Sequence, residues 1–172
     1  YIRNGMNFST LLNNVEDFLR TCDRHSLTFI ITFNVFSYSG IFNYIQNILN
    51  LRRKYSIERQ LVWFDIPPLH SPDFMNAKLY PEGIKELKKC IEFMEKYKDG
   101  ETEKQFQGFS DFEIKKVQRL IDWIDAPTDF DKPMAMKNFY KFFIEHDRRR
   151  KTNLLNTFPE MEDFWEECKW TE

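Results

Sequence analysis

Residues 27–35, LTFIITFNV, constrain the fold more than any other stretch of the sequence. Strand side chains point alternately to opposite faces, so this stretch has one wholly apolar face and one mixed face. A second stretch, QLVWFDI at residues 60–66, repeats the pattern, and an amphipathic helix is predicted between the two. Because the connection is long and helical, this order predicts two parallel strands in an α/β fold.

A polar residue stands at the end of each predicted strand. Alternation turns Asn34 and Asp65 away from the faces that helices cover, and parallel pairing brings both to the carboxyl end of the sheet. Ligands bind at that end in open α/β sheets and barrels. We therefore predict that Asn34 and Asp65 contact a cofactor. The alternatives are that Asn34 satisfies its own turn and that Asp65 pairs with a neighbouring Lys or Arg.

The composition changes after the second strand and its helix. Residues 96–107, KYKDGETEKQFQ, are polar and interrupt the apolar periodicity, which predicts a linker. We therefore divide the chain into an α/β region at residues 1–97, a linker at 98–108 and a helical C-terminal extension at 109–172. Capping-box patterns predict helices that begin near Ser110 and Thr157.

The net charge and the spacing of the cysteines limit which kinds of partner and which kinds of site this chain is expected to have. The net charge of −2 does not indicate a basic, nucleic-acid-binding surface. No apolar run approaches the roughly 18 residues of a membrane span. Cys22, Cys90 and Cys168 lie far apart, a spacing typical of packed, reduced thiols in a cytoplasmic protein. The sequence shows no catalytic constellation, and we predict neither catalytic nor metal-ligating residues within it.

Four segments together resemble one enzyme family. The segments are YIRNG at the start, LTFIITFNV, VWFDIPPLHSPDFMNAKLYPEGIKEL, and HDRRRKTNLLNTFPEMEDFWEEC near the end. In this order they resemble the C-terminal portion of radical SAM enzymes of the twitch or SPASM-like branch. The resemblance implies the C-terminal part of a partial (β/α)6 barrel with two parallel strands, here the fifth and sixth, followed by a helical tail. It also implies that the end of the fifth strand, at Asn34, contributes to the SAM site.

The defining CxxxCxxC loop of that family is absent from this sequence. In the family this loop follows the first barrel strand, so it would lie before Tyr1, and we expect the chain to be a fragment or a processed product. The intact protein would use SAM and a four-iron four-sulfur cluster for radical-based modification of a substrate, of which a peptide is one candidate. This chain would supply part of the SAM pocket and substrate wall, and would need the N-terminal half of the barrel.

Two other classes of protein fit the same residues. A non-catalytic helical interaction module fits the helical second half and the lack of a catalytic motif, and a large exposed apolar patch would favour it. A nucleotide-binding α/β domain without chemistry is the third possibility.

Overall fold

A computed structural model describes residues 7–21 and 25–171 of the chain. Residues 1–5, which form the first segment of the resemblance, and the thiol of Cys22 lie outside this part. The helices and strands follow in the order α1 (Phe8–Thr21), β1 (Leu27–Ile30), α2 (Tyr38–Tyr55), β2 (Val62–Asp65), α3 (Ile84–Lys96), α4 (Asp111–Asp125), α5 (Lys132–Arg150), α6 (Leu154–Thr157) and α7 (Glu162–Trp170). The fold is thus rich in helix, with a two-stranded parallel β-sheet in its first half.

The two strands form a parallel pair, which confirms the prediction. Leu27 pairs with Val62 and Ile30 with Asp65. Both strands are shorter than predicted, but backbone hydrogen bonds continue past them, and the Phe33 N–H donates to Pro67 O at 2.7 Å. The prolines at 67 and 68 lack an N–H, so they cannot donate to a longer ladder.

The loop between β2 and α3 is held in place by contacts to three distant parts of the chain. The Tyr38 hydroxyl donates to Ala77 O at 3.0 Å. Lys78 Nζ donates to two carbonyl oxygens just after α4, at 2.9 and 3.1 Å. The Tyr80 hydroxyl donates to Glu160 O at 2.9 Å. A long proline-bearing loop can be ordered or disordered, and these contacts show that this one is ordered.

The predicted helix start and cap at Ser110 are confirmed; a helical turn also begins close to Thr157, at Pro159, but the predicted cap by Thr157 is wrong. Ser110 accepts the Glu113 N–H, and the Glu113 carboxylate accepts the Ser110 N–H, which completes a capping box ahead of α4. Thr157 instead ends the four-residue helix α6, whose N-cap is Asn153. A 3₁₀ turn at Pro159–Met161 then leads into α7, which begins at Glu162, and neither has a side-chain cap.

A buried ion pair joins the α/β region to the helical extension. Arg52, at the end of α2, has no exposed side-chain surface and pairs with Glu113 of α4 at 2.5 Å. The same guanidinium donates to Gly108 O at 2.7 Å. Gly108 must be a glycine, because a Cβ there would lie 2.3 Å from Tyr97 O. Residues of both regions therefore share one buried core.

Candidate functional site

The carboxyl end of the sheet carries both residues predicted to contact a cofactor. Asp65 is the last residue of β2, and Asn34 directly follows Phe33, whose backbone bridges to Pro68 beyond β2. The alternation of faces is also as predicted, since Phe33, Val62 and Phe64 are buried while Thr32 and Trp63 are exposed. Both residues thus lie at the expected carboxyl end of the sheet.

The side-chain amide of Asn34 uses half of its hydrogen-bonding capacity within its own turn. Its Oδ1 accepts the Phe36 N–H at 3.0 Å, and its Nδ2 donates to Thr32 O at 3.2 Å. Its backbone N–H donates to Ser37 Oγ at 3.0 Å. An asparagine amide has two donor hydrogens and two acceptor lone pairs. One of each therefore remains for a ligand, and the turn fixes the orientation of the amide.

The Asp65 carboxylate has a cationic partner. Its Oδ1 lies 3.0 Å from Lys116 Nζ and also accepts the Ile66 N–H at 3.1 Å. Lys116 Nζ donates in addition to Phe64 O at 3.1 Å and lies 5.6 Å from the centre of the Phe64 ring. Since the Asp65 side chain is 49% exposed, the pair is solvated, and the second carboxylate oxygen has no hydrogen-bond partner among the described residues.

One face of the sheet is not covered by the described part of the chain. Ile30 is 66% exposed and Trp63 is 44% exposed, and Thr28 and Thr32 beside them are also exposed. The opposite face packs into the core through Val62 and Phe64. Large apolar side chains side by side on an open sheet are a mark of an interaction surface.

The two edges of the sheet differ sharply. The Arg52 Nε donates to Val62 O at 3.0 Å, and Lys116 Nζ donates to Phe64 O, so cationic side chains occupy the outer edge of β2. On β1, Leu27 and Ile31 bond to β2, and backbone groups alternate along a strand, so the N–H and C=O of Thr28 and Ile30 point away from β2. Among residues 7–21 and 25–171, nothing pairs with this outer edge of β1.

Arg52, Glu113 and Lys116 are the residues that sequence reasoning missed. Arg52 belongs to a basic run, Arg52-Arg53-Lys54, that suits the negative end of a helix dipole. The position of Arg52 along the helix also indicated that it is buried, because Ile45, Ile48 and Arg52 lie on one buried face of α2. An arginine on an apolar stripe must find a buried partner. Nothing local in the sequence identifies Glu113, which lies 61 positions away, as that partner.

The thiols and acidic groups of the described residues form no metal centre. Burial raises the pKa of Cys90 and of Cys168 to about 12, so both are neutral thiols at ordinary pH. Among the described residues no group of three or more His, Cys, Asp or Glu side chains is placed to hold a metal ion. The described helices also include none with the length and hydropathy to cross a bilayer.

Comparison with known proteins identifies no relative of this chain. No family model, curated protein or solved structure matches the chain. The case for a function therefore rests on the sheet and the side chains around it.

Proposed function

We propose that this chain is the C-terminal part of a radical SAM enzyme, in which β1 and β2 are the last two strands of a partial (β/α)6 barrel. In this proposal the open sheet face lines the barrel interior, and the strand ends contribute to the SAM pocket and the substrate wall. The observation that carries it is the asymmetry of the sheet. The outer edge of β2 is occupied by Arg52 and Lys116, as expected for a terminal strand, whereas no residue of 7–21 or 25–171 pairs with the outer edge of β1.

The direction of the helices supports the same arrangement. Phe8, at the start of α1, lines one groove with Asn47 of α2, and Glu16 lies 2.5 Å from Lys54 Nζ near the end of α2. The two helices therefore run in the same direction side by side, as in consecutive βα units. Crossovers between parallel strands are right-handed, so a strand ahead of α1 would lie beside the outer edge of β1.

The described residues fit SAM in part and the iron–sulfur cluster not at all. Asn34 would hold SAM through its remaining amide hydrogen and lone pair, which suit an adenine edge or a ribose hydroxyl. Asp65 would face the same space with its second carboxylate oxygen. Cluster ligands would come from the N-terminal half of the barrel, and the bound cofactors would supply the radical chemistry. The proposal includes a peptide as one candidate substrate and a cytoplasmic location.

The test begins with the reading frame upstream of Tyr1. A CxxxCxxC motif there, followed by anaerobic reconstitution of the intact protein, gives the material for measuring SAM binding by calorimetry. We expect Asn34→Ala to weaken SAM binding about tenfold, because a good polar contact contributes roughly 1–1.5 kcal/mol. Asn138→Ala, an exposed amide on α5, is the matched control. An upstream frame without the motif, or equal SAM affinity for both variants, would count against the proposal.

A second candidate is a non-catalytic interaction module. The exposure of Ile30 and Trp63 on the open sheet favours it, because these side chains would be covered by a protein partner. The two candidates differ in what covers this face: a preceding part of the same protein for the enzyme, and another protein for the module. The upstream reading frame separates them.

A further inference from the structure

A polar groove of about 530 Å³ runs along the outward side of α2, away from the strand ends. Four amide side chains form its floor, and they recur at helical positions i, i+3, i+4 and i+7, which share one face. They are Asn43, Gln46, Asn47 and Asn50. Three aromatic side chains also line the groove: Phe8 of α1, Phe93 of α3, and Tyr97, which directly follows α3. The volume lies within the range of ligand pockets, about 300–1,000 Å³.

The floor of this groove is unusual because it lacks charge. Charged residues make up 30% of the chain, yet none occurs from residue 38 to residue 51. The outward face of a surface helix normally carries charged and polar residues together. Arg53, at the end of the groove, pairs with Glu103 and lies 4.8 Å from the Tyr97 ring centre, so its charge is already compensated. The groove therefore favours a neutral ligand.

The four amides are available for binding. Within the described part of the chain, none of their side chains has a hydrogen-bond partner, whereas Asn34 and Asn76 both cap turns. Each free amide offers an N–H donor and a C=O acceptor in one plane. In an extended chain the N–H and the C=O of one residue point to the same side, so one side-chain amide can bind one residue of such a chain through two hydrogen bonds.

The spacing of the amides matches an extended chain. Asn43 and Asn47, like Gln46 and Asn50, are separated by a rise of about 6 Å along the helix. Residues that turn their N–H and C=O to the same side of an extended chain repeat at about 6.6–6.8 Å. We propose that this groove binds an extended, uncharged peptide segment, whose main chain bonds to the amides of α2. This inference is independent of the proposed enzyme function.

An adjoining apolar hollow would receive a side chain of such a peptide. It has a volume of about 450 Å³ and shares Phe8, Asn43 and Asn47 with the polar groove. Ile41 and Phe158 are among its other lining residues. A bound segment would thus present its main chain to the amides and an apolar side chain to this hollow, which is how main-chain contacts supply affinity and pockets supply specificity.

Side-chain amide signals in ¹⁵N-correlated NMR spectra of the 172-residue chain test this directly. The probe is the capped pentapeptide Ac-Thr-Val-Thr-Val-Thr-NH2. We expect saturable shifts of the Asn43, Gln46, Asn47 and Asn50 amide groups, and no shift for the control amides of Gln118 and Asn138. Asn47→Asp should weaken binding at least tenfold, because the carboxylate loses the donor and must be desolvated. Asn138→Asp should leave the affinity unchanged.

Three results would overturn the proposal. One is the absence of shifts at millimolar peptide in a chain with a well-dispersed spectrum. Another is a set of shifts that includes the control amides equally. The third is saturable binding of cellopentaose, a neutral oligosaccharide, without binding of the peptide. If Asn47→Asp disturbs the fold, Gln46→Glu on the same floor serves in its place, and the wild-type shift pattern decides by itself.

Discussion

Removing the charge of Glu113 should destabilise the fold strongly. Glu113→Gln keeps the shape of the side chain but leaves the Arg52 guanidinium buried opposite a neutral group. Both side chains are almost completely buried, with 0% and 4% of their surface exposed. Breaking such a pair from one side typically costs about 3–5 kcal/mol, because an uncompensated charge remains in the core. For a chain of this length that corresponds to a fall in Tm of about 10 °C.

The adjacent arginine provides a matched control. Arg53 also pairs with a glutamate, Glu103, but its side chain is 42% exposed. Arg53→Gln should therefore cost less than about 1 kcal/mol. The assay is urea unfolding followed by circular dichroism, with calorimetry for Tm. A double variant, Arg52→Met with Glu113→Gln, should lose less stability than the sum of the two single variants, because the buried charge is gone. Equal losses for Glu113→Gln and Arg53→Gln would refute the reasoning.

Three further outcomes follow from the caps, the surface ion pairs and the thiols. Ser110→Ala should lower the free energy of unfolding by about 0.5–2 kcal/mol, whereas Thr157→Ala, which removes no N-cap, should change it by less than about 0.5 kcal/mol in the same urea titration. Hydrogen bonds from Arg148 and, as the next largest cause, from Arg149 lower the pKa of Glu145 to about 2. The carboxyl NMR signal of Glu145 should therefore titrate near pH 2. Any stability it adds is present above its ordinary pKa and is lost as pH falls toward 2; Arg148→Gln should move the titration upward. Cys90 should react with a thiol reagent only after unfolding, and labelling of the native protein at neutral pH would contradict its raised pKa.

The sequence predicted what depends on local periodicity. Alternation at residues 27–35 predicted which face of β1 is buried, and helical spacing with the crossover length predicted the parallel pair, as observed. The capping box at Ser110 was readable because all of its hydrogen bonds lie within four residues. The same pattern failed at Thr157, because the nearby Asn153 caps an earlier turn.

Contacts between distant residues were beyond such reasoning. The pairing of Arg52 with Glu113 and of Asp65 with Lys116 depends on how α2, β2 and α4 pack, which no local pattern encodes. The position of Asn34 could be predicted from alternation and parallel pairing. The engagement of its amide in a turn was foreseen only as an alternative, because an asparagine after a strand fits either role.

The loop between β2 and α3 has a consequence for the order of folding during synthesis. Its contacts at Tyr38, Lys78 and Tyr80 reach partners as far along the chain as Glu160. Chains emerge from the ribosome N-terminus first. When β2 and this loop emerge, the acceptors of Lys78 and Tyr80, and the carboxylate that neutralises Arg52, have not yet emerged. The native contacts of the α/β region are therefore completed only after the helical extension has emerged.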